Sequence, residues 1–190
     1  MDDDYYSIDA ILAENQKIQC KFKQDIPDMG HLDGGSERDI KRDSKVQIPL
    51  WMAYVLIFSN FADFTIPGPF TTRVQNALKA EPTSVKLAGL VGAGGLWYGF
   101  GRVLLRLLDD EHGDLMSALL ARTFRQRLLE VVDQAQHFAA LGRASGGHSN
   151  DATQSFREGL DATERELFGL AQESSRRTKR WYESGEKGRK

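Results

Sequence analysis

The sequence has a single cysteine, Cys20, in 190 residues, so no disulfide can form within it. That usage fits a reducing compartment such as the cytosol or the nucleus. The start does not read as a secretory leader, which needs a basic segment and then an apolar one, because Met1 is followed by Asp2, Asp3 and Asp4. Long apolar runs are scarce. Residues 51–58 form a run of eight, and residues 87–101 form fifteen without charge that contain six glycines. A membrane span needs about 20 mostly apolar residues. The spacing Gly95-x-x-x-Gly99 suits close helix approach in lipid, but the run is too short and too rich in glycine, so no membrane is expected.

Catalytic and ligand motifs are missing as well. His31, His112, His137 and His148 are never three or four apart, and none sits at ligand spacing from Cys20. No metal is expected. No G-x-S-x-G elbow or H-E-x-x-H is present. A phosphate loop requires Lys-Ser or Lys-Thr after its glycines, and none follows here. The pairs Gly92-x-Gly94 and Gly99-x-Gly101 have Trp97 and Leu104 where a dinucleotide fingerprint needs a third small residue. Asp109, Asp110 and Glu111 read as a solvated helix end, and Glu164 and Glu166 at i, i+2 cannot face each other on a helix. No cofactor and no enzymatic activity are expected.

What remains is ordinary in bulk and uneven in detail. Hydrophobic residues make up 41% and charged ones 27%, so a soluble core is affordable without staples. The net charge of −2 demands no particular partner. Its distribution is informative: residues 1–48 carry 11 acids and 7 bases, while residues 176–190 carry 2 acids and 7 bases. The basic tail, with Trp181 and Tyr182 beside Arg176, Arg177, Lys179 and Arg180, mixes the groups that a nucleic-acid contact uses. It also suits a solvated helix end.

The chain divides into a small β-containing head, residues 1–48, and a helical body, residues 49–190. In the head, Ser7 caps a short helix with Ile8, Ile11 and Leu12 on one face. Ile18, Cys20 and Phe22 alternate with polar residues as a half-buried strand, and Cys20 reads as a buried structural thiol. Residues 33–44 are a polar loop, and Val46 and Ile48 restart a strand. So few apolar groups make the head dependent on other surface for stability.

In the body, Pro49 suits a first helical position. The helix over 50–62 is apolar on all sides, which predicts a central, buried element with Trp51 in the core. Helices over 69–80 and 113–141 follow, separated by an element over 83–108 whose glycines let Trp97, Tyr98 and Phe100 fold back. The expected apolar set of the 113–141 helix is Leu115, Leu119, Leu120, Phe124, Leu128, Leu129, Val132 and Phe138, and Gly142 is its stop. Residues 142–150 read as a flexible connection and 184–190 as a disordered tail. The last helix, over 151–183, carries Phe156, Leu160, Thr163, Leu167, Leu170, Ser174, Arg177 and Trp181 at heptad spacing, the seam of a helix packed along another. The fold class is therefore mainly α, with a small N-terminal β-containing domain and a long C-terminal helix. Arg122, Arg125, Phe168 and Trp181 are the candidate protein-interface residues, being aromatic or arginine groups on the two longest helices.

The order of short strings carries a resemblance. Tyr5-Tyr6-x-Ile8-Asp9-x-Ile11-Leu12-Ala13, Cys20-Lys21-Phe22, Asp25-Ile26-Pro27-x-x-Gly30-x-Leu32 and Pro49-Leu50-Trp51-x-Ala53 open it. Asn76-Ala77-Leu78-Lys79-Ala80-x-Pro82, Tyr98-Gly99-Phe100-Gly101, Glu164-Arg165-Glu166-Leu167-Phe168 and Thr178-Lys179-Arg180-Trp181 continue it. Over nearly its whole length the chain resembles the family of the third Psf subunit of the GINS complex, and its fungal members in particular. The resemblance implies a small B-type domain ahead of a helical A-type domain in a non-catalytic, nuclear subunit of an obligate heterotetramer. The implied partners are the three other GINS subunits, with the MCM motor ring and the Cdc-forty-five factor in the CMG replicative helicase, and an indirect link to DNA polymerase epsilon. Such a scaffold serves the initiation and elongation of chromosomal replication. A direct DNA contact is left open by the resemblance and is not expected to be the primary role. Two other classes stay open on the residues alone. One is a stand-alone nucleic-acid-binding module using the basic C-terminal segment; the other is an enzyme with an unrecognised site near Gly89 to Gly101.

Overall fold

The computed structural model describes residues 6–34, 37–92, 94–141 and 151–187. The expected flexible connection, residues 142–150 with the Gly142 stop, and residues 188–190 of the expected tail lie outside the described residues. The chain opens with α1 (Ile8–Glu14), whose first turn is closed by the Ser7 Oγ accepting from Ala10 N at 3.4 Å. Strand β1 (Lys17–Phe22) follows with the expected alternation: Ile18, Cys20 and Phe22 are buried between exposed Lys17 and Lys21. It pairs antiparallel with β2 (Lys45–Pro49), Cys20 opposite Val46 and Lys17 opposite Pro49.

Helix α2 (Leu50–Phe58) leaves β2 directly, with Pro49 as its cap. Asn60 then takes a left-handed φ of 61° and turns the chain back into β3 (Ala62–Phe64). This strand pairs with the free edge of β1, giving the sheet order β2-β1-β3. Three residues with Asp63 in the middle leave almost no sequence pattern, which is why the sequence predicts helix up to 62 instead. The expected division at 48/49 falls before the last residue of β2, and the third strand comes after it.

The body consists of α3 (Thr72–Ala80), α4 (Trp97–Leu104), α5 (Asp110–Leu141), α6 (Asp151–Glu158) and α7 (Ala162–Lys187). Between α3 and α4 the chain forms only short 3-10 turns, at Pro82–Ser84 and Leu87–Gly89. Gly94 and Gly95 take φ values of 97° and 63° there, which costs glycine little and other residues more. Trp97 and Phe100 then point inward, stacked around Phe70 at ring separations of 5.3 and 5.5 Å. One apolar core runs from Ile18, Phe22 and Ile48 of the sheet through Phe70 and Leu78 to Trp97, Leu104 and Leu120. The head is thus built onto the body, as its small apolar content requires.

Three expectations fail. The last helix is not continuous from 151 to 183: α6 ends at Glu158 and α7 starts at Ala162. Gly159 passes so close to Lys86 that an added Cβ would lie 2.8 Å from its Cα, and the chain bends there. The heptad seam breaks with it, Phe156 and Leu160 packing on Val131 while Ser174, Arg177 and Trp181 face outward. Helix α7 also continues to Lys187, through the first residues of the expected tail. Second, α2 is not central. Leu50 and Ala53 are buried, but Trp51 is 52% exposed, and Tyr54, Val55 and Phe58 are exposed too. A nine-residue helix clamped between two strands of one sheet can cover only one of its faces. Third, α5 buries Met116, Leu119, Leu120, Thr123, Arg127 and Val131, leaving Leu115 and Leu129 of the expected apolar set outside.

Candidate functional site

A dense set of buried hydrogen bonds lies where α4, α5 and α7 meet. Arg127, on the inner face of α5, donates from Nε to Glu164 Oε1 at 2.7 Å and from Nη2 to Glu164 Oε2 at 2.8 Å. Its Nη1 donates to the carbonyls of Pro82 and Val85, at 2.7 and 2.9 Å, and its guanidinium lies 4.8 Å from the Phe156 ring centre. Glu164 also accepts from the Tyr98 hydroxyl at 2.8 Å and from Asp161 N at 3.1 Å. Asp161 closes two helices at once: one oxygen accepts from Thr163 N at 2.8 Å at the start of α7, the other from Trp97 N at 2.5 Å and Tyr98 N at 3.3 Å at the start of α4. Burial pushes the Asp161 carboxyl above its ordinary range against the pull of these N–H donors, and burial beside Glu164 drives the Tyr98 phenol far upward.

This network has the residue types of a catalytic site and the geometry of a structural weld. The Arg127 and Glu164 side chains are 0% and 1% exposed, and the carboxylate oxygens are fully engaged. Nothing from solvent reaches them. Among the described residues, no group of three or more His, Cys, Asp and Glu is placed to hold a metal ion. None of the described helices is long and apolar enough to cross a membrane.

The chemistry that is accessible is apolar and aromatic surface. Ile8, Ile11 and Leu12 share the outer side of α1, and Leu12 is still 37% exposed. On α2, Trp51, Tyr54, Val55 and Phe58 lie at i, i+3, i+4 and i+7, one continuous stripe. Leu115 and Leu129 sit two heptads apart on the outer face of α5, with Arg122 midway between them. Leu170, Trp181 and Tyr182 are exposed on α7. Isolated exposed apolar residues are normal, but contiguous stripes of this kind mark interaction surfaces.

The four sequence-derived interface residues are not gathered into one patch. Arg122 and Arg125 are exposed on α5, with only local bonds to Gln126 Oε1 and the Ala121 carbonyl, both within one turn. Phe168 is half-buried and packs inward on Val131, Phe156 and Leu160. Trp181 is 69% exposed near the end of α7. The α2 stripe escaped the sequence reading because an all-apolar helix looks central. Its one available signal was the short distance from β2 to the next turn. Cys20 is buried as expected, and burial raises its thiol to about 11.

The family model for the PSF3 N-terminal domain matches residues 6–58, and the family model for the GINS complex protein helical bundle domain matches residues 69–183. The chain is 34% identical to the DNA replication complex GINS protein PSF3 of Aspergillus fumigatus, over 93% of this chain and 95% of that protein. It is 33% identical to the Schizosaccharomyces pombe protein of the same name, over 95% of this chain and 98% of that protein. With the Saccharomyces cerevisiae protein of that name the identity is 28%, over 93% and 97% of the two chains.

Proposed function

Since the chain belongs to the PSF3 family of GINS complex proteins, we propose that it is a non-catalytic subunit of the heterotetrameric GINS complex and works in DNA replication in the nucleus. Its task is to present surface. In this reading it joins three other GINS subunits, and the assembly serves as a scaffold in the CMG replicative helicase with the MCM motor ring and the Cdc-forty-five factor, linked indirectly to DNA polymerase epsilon. Residues 1–48 act as the small B-type domain and residues 49–190 as the helical A-type domain. Arg122, Arg125 and Trp181, with the open edge of Phe168, are assigned to partner contacts.

The observation that carries this reading is the pairing of a buried, bonded network between α4, α5 and α7 with exposed apolar stripes on α1, α2, α5 and α7. A chain that must be stable and specific only inside an assembly has reason to leave such stripes uncovered, since obligate interfaces are more apolar than ordinary surface and commonly bury about 2,000 Å² or more. Size-exclusion chromatography with light scattering tests it, on the chain alone and co-expressed with the other three subunits. Self-association alone and a 1:1:1:1 tetramer on co-expression are the expected results. A stable monomer that ignores all three would overturn the reading.

A further inference from the structure

Helix α7 outruns its neighbour. The Arg127–Glu164 pair sets the register of α5 and α7, and the two run in the same direction, because Gln136 further along α5 lies beside Ser174, Ser175 and Thr178 further along α7. On that register α5 ends, at Leu141, level with Thr178, and α7 projects about 13 Å beyond it to Lys187, at ~1.5 Å per residue.

The projecting end has a definite chemistry. Residues 176–182 contain Arg176, Arg177, Lys179 and Arg180 and no acid. Trp181 and Tyr182 emerge among these cations, 69% and 64% exposed, with their rings edge to face at 4.9 Å and 71°. Hydroxyls here bond back along the helix: that of Thr178 donates to the Ser174 carbonyl at 3.1 Å, and that of Ser184 to the Trp181 carbonyl at 2.9 Å. Below Trp181, Arg177, Ser174 and Leu170 continue one side of the helix, with Leu170 55% exposed.

We propose that this end of α7 inserts into an apolar pocket rimmed by carboxylates on another subunit of the assembly, with Trp181 filling the pocket and Arg177, one turn below it, and Arg180, beside it, meeting the rim. This deepens the subunit reading and rests on it. Charge complementarity selects the partner: the helix end carries four cations, of which Arg177 has an acid, the exposed Glu173 one turn back, so it repels a basic surface and its cations would be desolvated without return against a neutral one. Tryptophan and arginine together are the residues that anchor protein interfaces. A single-stranded nucleic acid fits less well. Successive bases need parallel aromatic platforms, whereas here the two rings are crossed at 71°.

The test is made on the four-subunit assembly carrying the photo-cross-linker p-benzoylphenylalanine in place of Trp181. The expected result is a cross-link to a segment of one other subunit rich in Asp and Glu, its yield falling about five-fold when Arg177→Glu and Arg180→Glu are added. The same substitution at Tyr182 is a second probe, and circular dichroism confirms that each variant is folded. If the assembly forms but cross-links are absent, or reach a basic or neutral segment, a second copy of this chain, or an added single-stranded oligonucleotide, the α7 proposal is overturned and the subunit reading stands. If the unsubstituted chain does not assemble with the other three subunits, both fall.

Discussion

Arg127 of α5 and Glu164 of α7 face each other in the interior as a two-pronged ion pair, at 2.7 and 2.8 Å, with side chains 0% and 1% exposed. The pair does more than join two helices. Through Tyr98 and Asp161 it ties the start of α4 to the start of α7, and through the Pro82 and Val85 carbonyls it anchors the irregular chain before α4. The register of the whole body follows from this one contact.

Removing one partner should therefore be costly. Arg127→Ala leaves a buried carboxylate without its countercharge and removes the donor to the Pro82 and Val85 carbonyls, and a loss of about 3–5 kcal/mol of unfolding free energy is expected. Glu164→Gln keeps the shape but removes the charge opposing a buried guanidinium, and should cost a large part of the same amount. Urea unfolding followed by circular dichroism measures both. If either variant loses under 1 kcal/mol, the pair does not hold the body together.

Asp161 gives an independent prediction, because a single carboxylate caps two helices. Losing one cap costs about 0.5–2 kcal/mol, so Asp161→Ala should cost roughly twice a usual cap. Asp161→Asn, which keeps an acceptor oxygen for only one of the two helix starts, should fall between. Hydrogen exchange at the amides of Trp97, Tyr98 and Thr163 reads the effect locally: all three should speed up in Asp161→Ala. Unchanged exchange at Trp97 would mean that α4 does not depend on the cap.

These networks were the least legible part of the sequence. The alternation at Ile18, Cys20 and Phe22 and the Ser7 cap were readable, because each depends on neighbours within a few residues, and the infolding of Trp97, Tyr98 and Phe100 was readable from the glycines beside them, though not the Phe70 and Asp161 that receive them. Glu164 was readable only as a helix-surface acid. Nothing local says that Arg127, 37 residues away, will bury it. The break at Gly159 has the same character: the sequence shows one glycine in a helical pattern, and only the close passage of Lys86 turns it into a bend. Trp51 failed in the opposite way. The periodicity rule takes an all-apolar helix to be central, but it assumes that the cover comes from the same chain, and the described residues leave this stripe exposed.

Cys20 carries a prediction about pH. Burial raises its thiol from 9.0 to about 11, so the folded chain holds this proton more tightly than the unfolded chain. Stability from this group is intact below pH 9 and declines as the pH rises from 9 towards 11, because the unfolded thiol ionises first. The Tyr98 phenol, also raised, acts with the same sign at higher pH. Unfolding curves of the native sequence and of Cys20→Ala, taken across this range, should converge as the pH rises. At pH 8 the native thiol should not react with Ellman's reagent until the chain is unfolded. Rapid reaction in the native state would show that the sheet opens.

The α2 stripe separates folding from association. Leu50 and Ala53 face the core, while Trp51 and Val55 face solvent on the same helix. Exposed positions free of caps or buried partners usually shift stability by less than about 0.5 kcal/mol. The double substitution Trp51→Ala and Val55→Ser should therefore leave the thermal midpoint of the isolated chain within a few degrees of its original value, while self-association in light scattering decreases because the largest apolar groups are gone. Leu50→Ala is the contrasting control: it truncates a fully buried side chain and should cost about 2–5 kcal/mol. A large loss of stability in the double variant would place Trp51 in the core after all. Undiminished self-association in a stable variant would move the sticky surface elsewhere, to the stripe on α1 or the projecting end of α7.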